Sequence, residues 1–319
     1  MEKYAKNNAK GNKPYRNDKN TRGDRSGERR GDRRDPRNQA PRRPQNEGRG
    51  STKYDHVDRS VEARDNAAVA DVEESSGIVI GRNAVRELLR SGRAVDKLLV
   101  QSGPREGALV PIVGEAIERG IPVVETERRK LDFLSGGAPH QGVIALAAEK
   151  EYCTVEDILA IAKERGEQPL IVVADGISDP YNLGAVIRCA EGCGAHGLII
   201  PKRHAAGLTP VVSKASAGAI EHLAIAKVPN IATAVENLKK VGVWVYAAEA
   251  GGADFRATDM NRAVAIVLGS EGEGVSELVR KKCDYLVSIP MYGKVNSFNV
   301  STAAAVLLCE AAYQQRKGR

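Results

Sequence analysis

From Gly77 onward, apolar and polar positions follow two periods. Short, nearly continuous apolar runs alternate with longer stretches in which apolar residues recur every three or four positions, the signature of strands alternating with helices. "GIVIGRNAVRELLRSG" predicts a short strand and then a helix with Asn83 as its N-cap. "VDKLLVQ" predicts a strand, "ALVPIVGEAIERG" a helix ending at Gly120, and "IPVVE" a strand. "TERRKLDFLSGG" predicts a helix capped by Thr126, and "GVIALAAE" a closing strand. These elements predict a small α/β domain.

A polar helical stretch, Thr154–Gln168, reads as a connector to a second series. "PLIVVADG" is almost wholly apolar, as expected of a strand buried on both faces. The helix "NLGAVIRCAEGCGA" and the strand "GLIIP" follow. Thr209-Pro210 supplies an N-cap and a proline at the first helical position, opening "VVSKASAGA". "HLAIAKV" predicts a strand, and Asn230 caps "IATAVENLKKVG". "VWVYAAEA", "AVAIVLGS" and "YLVSIP" predict three more strands, with the helix "VSELVRKKC" between the last two and "NVSTAAAVLLCEAAYQQ" as the final helix. The second series therefore predicts a mainly parallel sheet of about six strands wrapped by helices.

Residues 1 to about 75 break both periods: "RGDRSGERRGDRRDPRNQAPRRPQNEGRGS" has almost nothing to bury, which predicts disorder. Charge divides along the same line. Residues 1–50 hold 16 Lys and Arg against 7 Asp and Glu, so the net +7 of the chain belongs to this tail and the remainder carries −2. The tail reads either as an arm that attracts phosphates or as a solubilising segment. Hydrophobic residues make up 42% and aromatics 4%, so the cores rest on Val, Ile, Leu and Ala. No apolar run approaches the roughly 20 residues of a membrane span, and the charged N-terminus lacks a signal-peptide pattern. Cys153, Cys189, Cys193, Cys283 and Cys309 are odd in number and have no C-x-x-C spacing. That usage points to a reduced, cytoplasmic protein without a metal site.

Ligands of parallel α/β sheets bind beyond the carboxyl ends of the strands, and three post-strand segments stand out. In "DGISDPYNLGAVIRCAEGCGA", Arg188 lies among Val186, Ile187, Cys189 and Ala190, six residues past Asn182. A cation on a packing face needs a partner: either an anionic ligand or an ion pair with Asp179 or Glu191. In "VLGSEGEGVS", Gly269, Gly272 and Gly274 allow close approach to the backbone, and Glu271 either meets a ligand or caps the next helix. The segment carries neither the Gly-Lys-Ser/Thr of a P-loop nor the dinucleotide fingerprint at the first strand. In "IPMYGKVNSFNVSTAAAVLLCEA", Asn299 serves as an N-cap with Ser301 and Thr302 in the first turn. A cap leaves Ser297 and the polar stretch Tyr292–Asn296 unexplained. His196, His204 and His222 have no ligand spacing.

Taken in order, "DPYNLGAVIRCAEGCGA", "VLGSEGEGVS" and "IPMYGKVNSFNVSTAAAVLLCEA" resemble the motifs of the SpoU (TrmH-type) family of SPOUT RNA methyltransferases. "GRNAVRELL" and "HQGVIA" resemble the ribosomal-protein-like RNA-binding module that precedes the catalytic domain in some members. The two-domain layout, with "KASAGAIEHLAIAKVPN" between the first two motifs, is most similar to enzymes that methylate a guanosine ribose in 23S rRNA. The resemblance covers about Gly77–Ala312. The basic tail (1–75) lies outside it; the rest divides into an RNA-binding α/β domain (76–150), a linker helix (151–168) and a SPOUT domain (169–319), which the resemblance implies is trefoil-knotted. It implies a homodimer that binds S-adenosylmethionine through the backbone of Gly269, Ile289 and Phe298, where the family often has leucine at the last position. Arg188 would bind the RNA phosphate and stabilise the developing alkoxide, while Asn182, Glu271, Ser297 and Asn299 position arginine, ribose and cofactor. Two other readings stay open: a tRNA guanosine 2′-O-methyltransferase, whose relatives usually lack the first domain, and a non-catalytic RNA-binding or ribosome-assembly protein of the same fold. A nucleotide-dependent dehydrogenase is disfavoured by the missing glycine fingerprint.

Overall fold

The computed structural model describes residues 77–104 and 107–317, so the expectation of a disordered tail lies outside the described residues. The first α/β layer runs β1 (Gly77–Ile80), α1 (Arg82–Ser91), β2 (Val95–Gln101), α2 (Leu109–Glu118), β3 (Val123–Thr126), α3 (Arg128–Leu134) and β4 (Val143–Ala147). The sheet order is β1-β4-β2-β3, with β4 antiparallel to β1 and β2, and β2 parallel to β3. β4 is buried at all five positions because helices cover both faces of the sheet. Val85 and Leu88 of α1 and Ile112 of α2 pack on one face, and Leu131 of α3 meets Leu99, Ile144 and Leu146 on the other. This order brings the ends of β1, β2 and β3 and the start of β4 to one edge.

Two expected caps are corrected. Asn83 does not cap α1: the helix begins at Arg82, behind Gly81 at φ 94°, ψ 158°, which favours glycine. The amide of Arg82 is satisfied from a distance by Gln141 Oε1 at 3.1 Å. Thr126 does not cap α3 either; it ends β3, paired with Gln101 and buried, and Glu127 takes the cap position.

Thr154 and Asp157 form a reciprocal capping box at α4 (Val155–Glu164). The second layer then runs β5 (Leu170–Asp175), α5 (Pro180–Gly192), β6 (Gly197–Pro201), α6 (Pro210–Ala215), β7 (Ala224–Val228), α7 (Ile231–Lys240), β8 (Trp244–Asp254), β9 (Val264–Gly269), α8 (Glu277–Lys282), β10 (Tyr285–Ser288) and α9 (Val300–Lys317). The six strands lie in the order β10-β8-β9-β5-β6-β7, and every pair is parallel. Thr209 and Asn230 cap α6 and α7 as expected. β5 divides its side chains between two cores: Leu170 and Val172 pack with α5 and α9, while Ile171 and Val173 pack with α4, α7 and α8.

β8 runs past its expected end at Ala250 because β10 pairs with both of its halves. Leu286 is opposite Ala247 but Val287 is opposite Ala253, so the backbone from Ala248 to Gly252 bulges out of the ladder. Gly252 permits this: a Cβ there would lie 2.6 Å from the Leu286 carbonyl carbon.

Candidate active site at the carboxyl edge of the parallel sheet

Successive strands leave β5 first toward β7 and later on the opposite side, so ligand chemistry is expected at the carboxyl ends near β5 and β9. At β5, Asp175 accepts a hydrogen bond from the Ser276 amide at 2.8 Å and ties the strand end to the start of α8. Asp179 caps α5, accepting from the amides of Tyr181 and Asn182 at 3.2 Å each. Pro180 stands at the first helical position, and this start fixes Asn182 in the first turn.

At β9, the glycine segment folds back on itself. The Ser270 amide donates to the Gly274 carbonyl at 3.1 Å and the Gly274 amide returns to Ser270 at 3.0 Å. Gly272 and Gly274 adopt φ of 89° and 70°. A Cβ on Gly269 would stand 2.0 Å from the Gly274 carbonyl carbon and 2.2 Å from the Val275 nitrogen. Only glycine fits there, as expected of a backbone surface held close to itself.

Beyond β10, the Ser288 hydroxyl donates to the Gly252 carbonyl at 2.8 Å. Arg256, paired with Asp254 at 2.7 Å, donates to the Tyr292 hydroxyl at 3.1 Å. The following turn delivers Asn299, which does two jobs with one side chain. Its Oδ1 accepts from the Ser301 amide at 2.9 Å and the Ser301 hydroxyl at 2.6 Å, capping α9. Its Nδ2 donates to Asn182 Oδ1 at 3.0 Å and to Glu271 Oε1 at 2.8 Å. Asn182 Nδ2 also donates to Glu271 Oε1, at 2.6 Å. Three residues from three distant segments thus close a triangle around one carboxylate oxygen. The cap accounts for only half of what Asn299 does.

Beside this triangle lies a cleft of about 680 Å³, within the range of roughly 300–1,000 Å³ usual for small-molecule sites. Gly269, Ile289 and Phe298 line it, as do Glu271, Ser297 and Asn299. Leu268, Val287, Ala303 and Leu307 add apolar wall. Among the described residues its charged lining is Glu249, Glu271 and Glu273, with no Lys or Arg, which favours a ligand carrying positive charge. Among the described residues the Ser297 hydroxyl reaches only Asn296, at 3.5 Å, and it stays outside the triangle.

Arg188 is elsewhere. Six residues past Asn182 is about 240° around the helix and about 9 Å along it, so the two side chains leave α5 on different sides. Leu183, Val186, Ile187 and Ala190 form the buried face, and Arg188 is exposed. Neither expected ion pair forms: Asp179 serves as the cap, and among the described residues no hydrogen bond or ion pair engages Arg188. Sequence reasoning also passed over Asp175 and Glu249. Asp175 had a legible signal, a carboxylate ending an otherwise apolar strand. Glu249 did not, because its place on the cleft depends on the β8 bulge.

Comparison with known proteins adds independent findings. Residues 169–309 match the SpoU rRNA Methylase family, and residues 78–153 match the model described as RNA 2′-O ribose methyltransferase substrate binding. A protein of Bacillus subtilis named as a TrmH family tRNA/rRNA methyltransferase, YacO, is 44% identical over 239 residues, covering 75% of this chain and 95% of the relative. A similarly named protein of Staphylococcus aureus is 43% identical over 234 residues, covering 73% and 94%. The crystal structure of the SpoU methyltransferase AviRb from Streptomyces viridochromogenes, in complex with AdoMet, superposes with a TM-score of 0.64 at 27% identity, covering 76% of this chain and 91% of that one.

Proposed function

Because this chain belongs to the SpoU, or TrmH-type, methyltransferase family, we propose that it transfers a methyl group from S-adenosylmethionine to a ribose 2′-hydroxyl of RNA, in particular a guanosine of 23S rRNA. The observation that carries this reading is the Asn182–Glu271–Asn299 triangle at the edge of the cleft, since each member comes from a different one of the three motifs. The cleft suits the cofactor. Its acidic, cation-free lining matches a sulfonium, and the backbone at Gly269 is left bare of side chain. Gly269, Ile289 and Phe298 would hold the adenosyl group through their backbone. The bound cofactor supplies an electrophilic methyl carbon, which the 2′-oxygen must meet in line.

The residues then have separate tasks. Glu271 fixes the two asparagine amides, and these together with Ser297 orient the ribose. Arg188 acts through its charge and its hydrogen-bond donors. It binds the adjoining phosphate and stabilises the developing charge on the 2′-oxygen, whose proton passes to solvent water. Arg188 is exposed and leaves α5 away from the triangle, which supports its delivery by a second copy of the chain in a homodimer. The tail (1–75), the substrate domain (76–150), the linker helix (151–168), the knotted catalytic domain (169–319) and a cytoplasmic setting complete the proposal. Among the described residues no helix is long and apolar enough to cross a membrane.

The curated relatives' names cover tRNA as well as rRNA, which favours tRNA as the second reading. The match of residues 78–153 to a substrate-binding module supports the rRNA reading. Ribose-methylation mapping of total RNA, with and without the gene, decides between them. One lost methyl in 23S rRNA supports the first reading, and an unchanged rRNA map with a tRNA loss overturns it.

A further inference from the structure

The first α/β layer meets the second along a seam between α1 and the turn that follows α6. Gly218, at φ 92°, makes the approach close: a Cβ there would stand 2.6 Å from Glu87 Cβ and 3.2 Å from Ala84 Cα. Any other residue would hold the two layers apart. A short 3-10 helix, Ala219–Glu221, comes next, and its end gathers residues from the first layer and its connector. On the rim, His222 Nε2 meets Glu87 of α1 at 3.0 Å. Inside, Arg93, between α1 and β2, pairs with Glu221 at 3.3 Å, with side chains only 15% and 1% exposed. Lys150, just past β4, donates to the Glu221 carbonyl at 3.2 Å.

This buried pair is poor glue and a sharp selector. Burial pushes the Glu221 carboxyl up, against the pull of Arg93, Lys150 and His222. Burial also pushes the Arg93 guanidinium and the Lys150 ammonium down. Among the described residues the two Glu221 carboxylate oxygens, Arg93 Nε and the Ser213 hydroxyl are buried without a hydrogen-bond partner, and their residues line one cavity of about 180 Å³. A charge pair of this kind adds little net stability, but a shift that separates it strands a charge in the interior at high cost. One docking orientation keeps Arg93 on Glu221, and rotated ones do not. The seat is also tied to the candidate active site. A Cβ on Gly184 of α5 would stand 2.5 Å from Ala215 Cβ and 2.9 Å from the Val212 carbonyl oxygen, so α6 is wedged against α5. Gly184 is two residues from Asn182 of the triangle.

We propose that the Arg93–Glu221 pair fixes the orientation of the first layer on the second, which makes Glu221 a positioning residue: it sets where RNA held by the first layer meets the cleft. This role rests on the RNA-methyltransferase reading and adds to it the contact that registers one layer against the other.

The test uses the full chain, tritiated S-adenosylmethionine and total RNA from cells lacking the gene. Arg93→Met strands the carboxylate, Glu221→Met strands the cation, and Arg93→Met/Glu221→Met removes both. Each single variant is expected to lower the single-turnover rate at saturating RNA about tenfold or more. The Kd for RNA by filter binding and for S-adenosylmethionine by calorimetry should stay within about threefold, a split that loss of stability alone would not produce. The double variant should recover the rate to within about threefold of wild type. Glu236→Gln, which removes an exposed pair with Lys282, should leave the rate unchanged. Undiminished rates in the single variants, or equal losses in single and double variants, would overturn the proposal. If the single variants do not fold, carbodiimide labelling of wild-type carboxylates decides. Glu221 labelled at least tenfold more slowly than Glu236 sustains the docked seam, and equal labelling removes it. Wild type that protects Glu221 yet transfers no methyl to total RNA would defeat the proposed function alone. Full transfer by both single variants would defeat the positioning role alone.

Discussion

Replacing Gly269 with alanine probes the cleft at its tightest point. The new Cβ would begin 2.0 Å from the Gly274 carbonyl carbon and 2.2 Å from its oxygen, all backbone. Ordinary contact begins at 3.4 Å, so the returning strand of the loop must retreat by more than 1 Å. That movement opens the paired Ser270–Gly274 hydrogen bonds of 3.1 and 3.0 Å, each contributing about 1 kcal/mol. Overpacking adds about 1–3 kcal/mol, giving a local cost of about 3–5 kcal/mol. Both Gly269 and Glu271 are carried by this loop. A displacement of about 1 Å at a reacting site is enough to lower the rate about a hundredfold. Calorimetric titration with S-adenosylmethionine should show a Kd raised about thirtyfold or more, while circular dichroism keeps the wild-type secondary structure. Wild-type affinity in a folded Gly269→Ala protein would refute the assignment of this loop to the cofactor.

Arg188→Ala is expected to abolish methyl transfer and leave cofactor affinity unchanged, measured by tritium incorporation and calorimetry. Mixing Arg188→Ala with Asn299→Ala chains should restore about a quarter of wild-type activity if the arginine crosses a twofold dimer, because half the dimers then hold one complete site. No restoration would place arginine and cleft in the same chain. Glu271→Ala leaves two amide donors without their shared acceptor, and kcat should fall about a hundredfold with a much smaller change in cofactor Kd. The imidazole of His196 is buried and accepts from the Leu170 amide, and burial lowers its pKa below the ordinary 6.5. The unfolded chain therefore takes up this proton more readily. The stability it contributes is complete above 6.5 and declines as pH falls below it. Thermal unfolding from about pH 7.5 to 5.5 should drop more steeply for wild type than for His196→Asn, and parallel slopes would remove this role.

The second layer was legible where one local rule governs. β5 and β9 are apolar on both faces, and Thr209-Pro210 and Asn230 announce their helices in adjacent letters. The rule failed where the partner is far along the chain. The first amide of α1 is capped by Gln141, 59 residues on, so nearby Asn83 was the wrong choice. The length of β8 depends on β10 pairing across a bulge, which no window of β8 residues reveals. The site divides in the same way. Motif order gathered Asn182, Glu271 and Asn299, and the triangle brings them within hydrogen-bonding distance. Arg188 looked like a cation on a packing face because its neighbours in sequence are apolar. Helical rotation places those neighbours inward and the arginine outward.

The proposed methyl transfer to an RNA ribose takes place at the cleft beside the triangle. The most direct measurement incubates the full chain with tritiated S-adenosylmethionine and rRNA from cells lacking the gene, then maps the labelled nucleotide. The expected product is one 2′-O-methylated guanosine in 23S rRNA, absent with Arg188→Ala and with Glu271→Ala. Label on a base, or incorporation that persists in both variants, would contradict it.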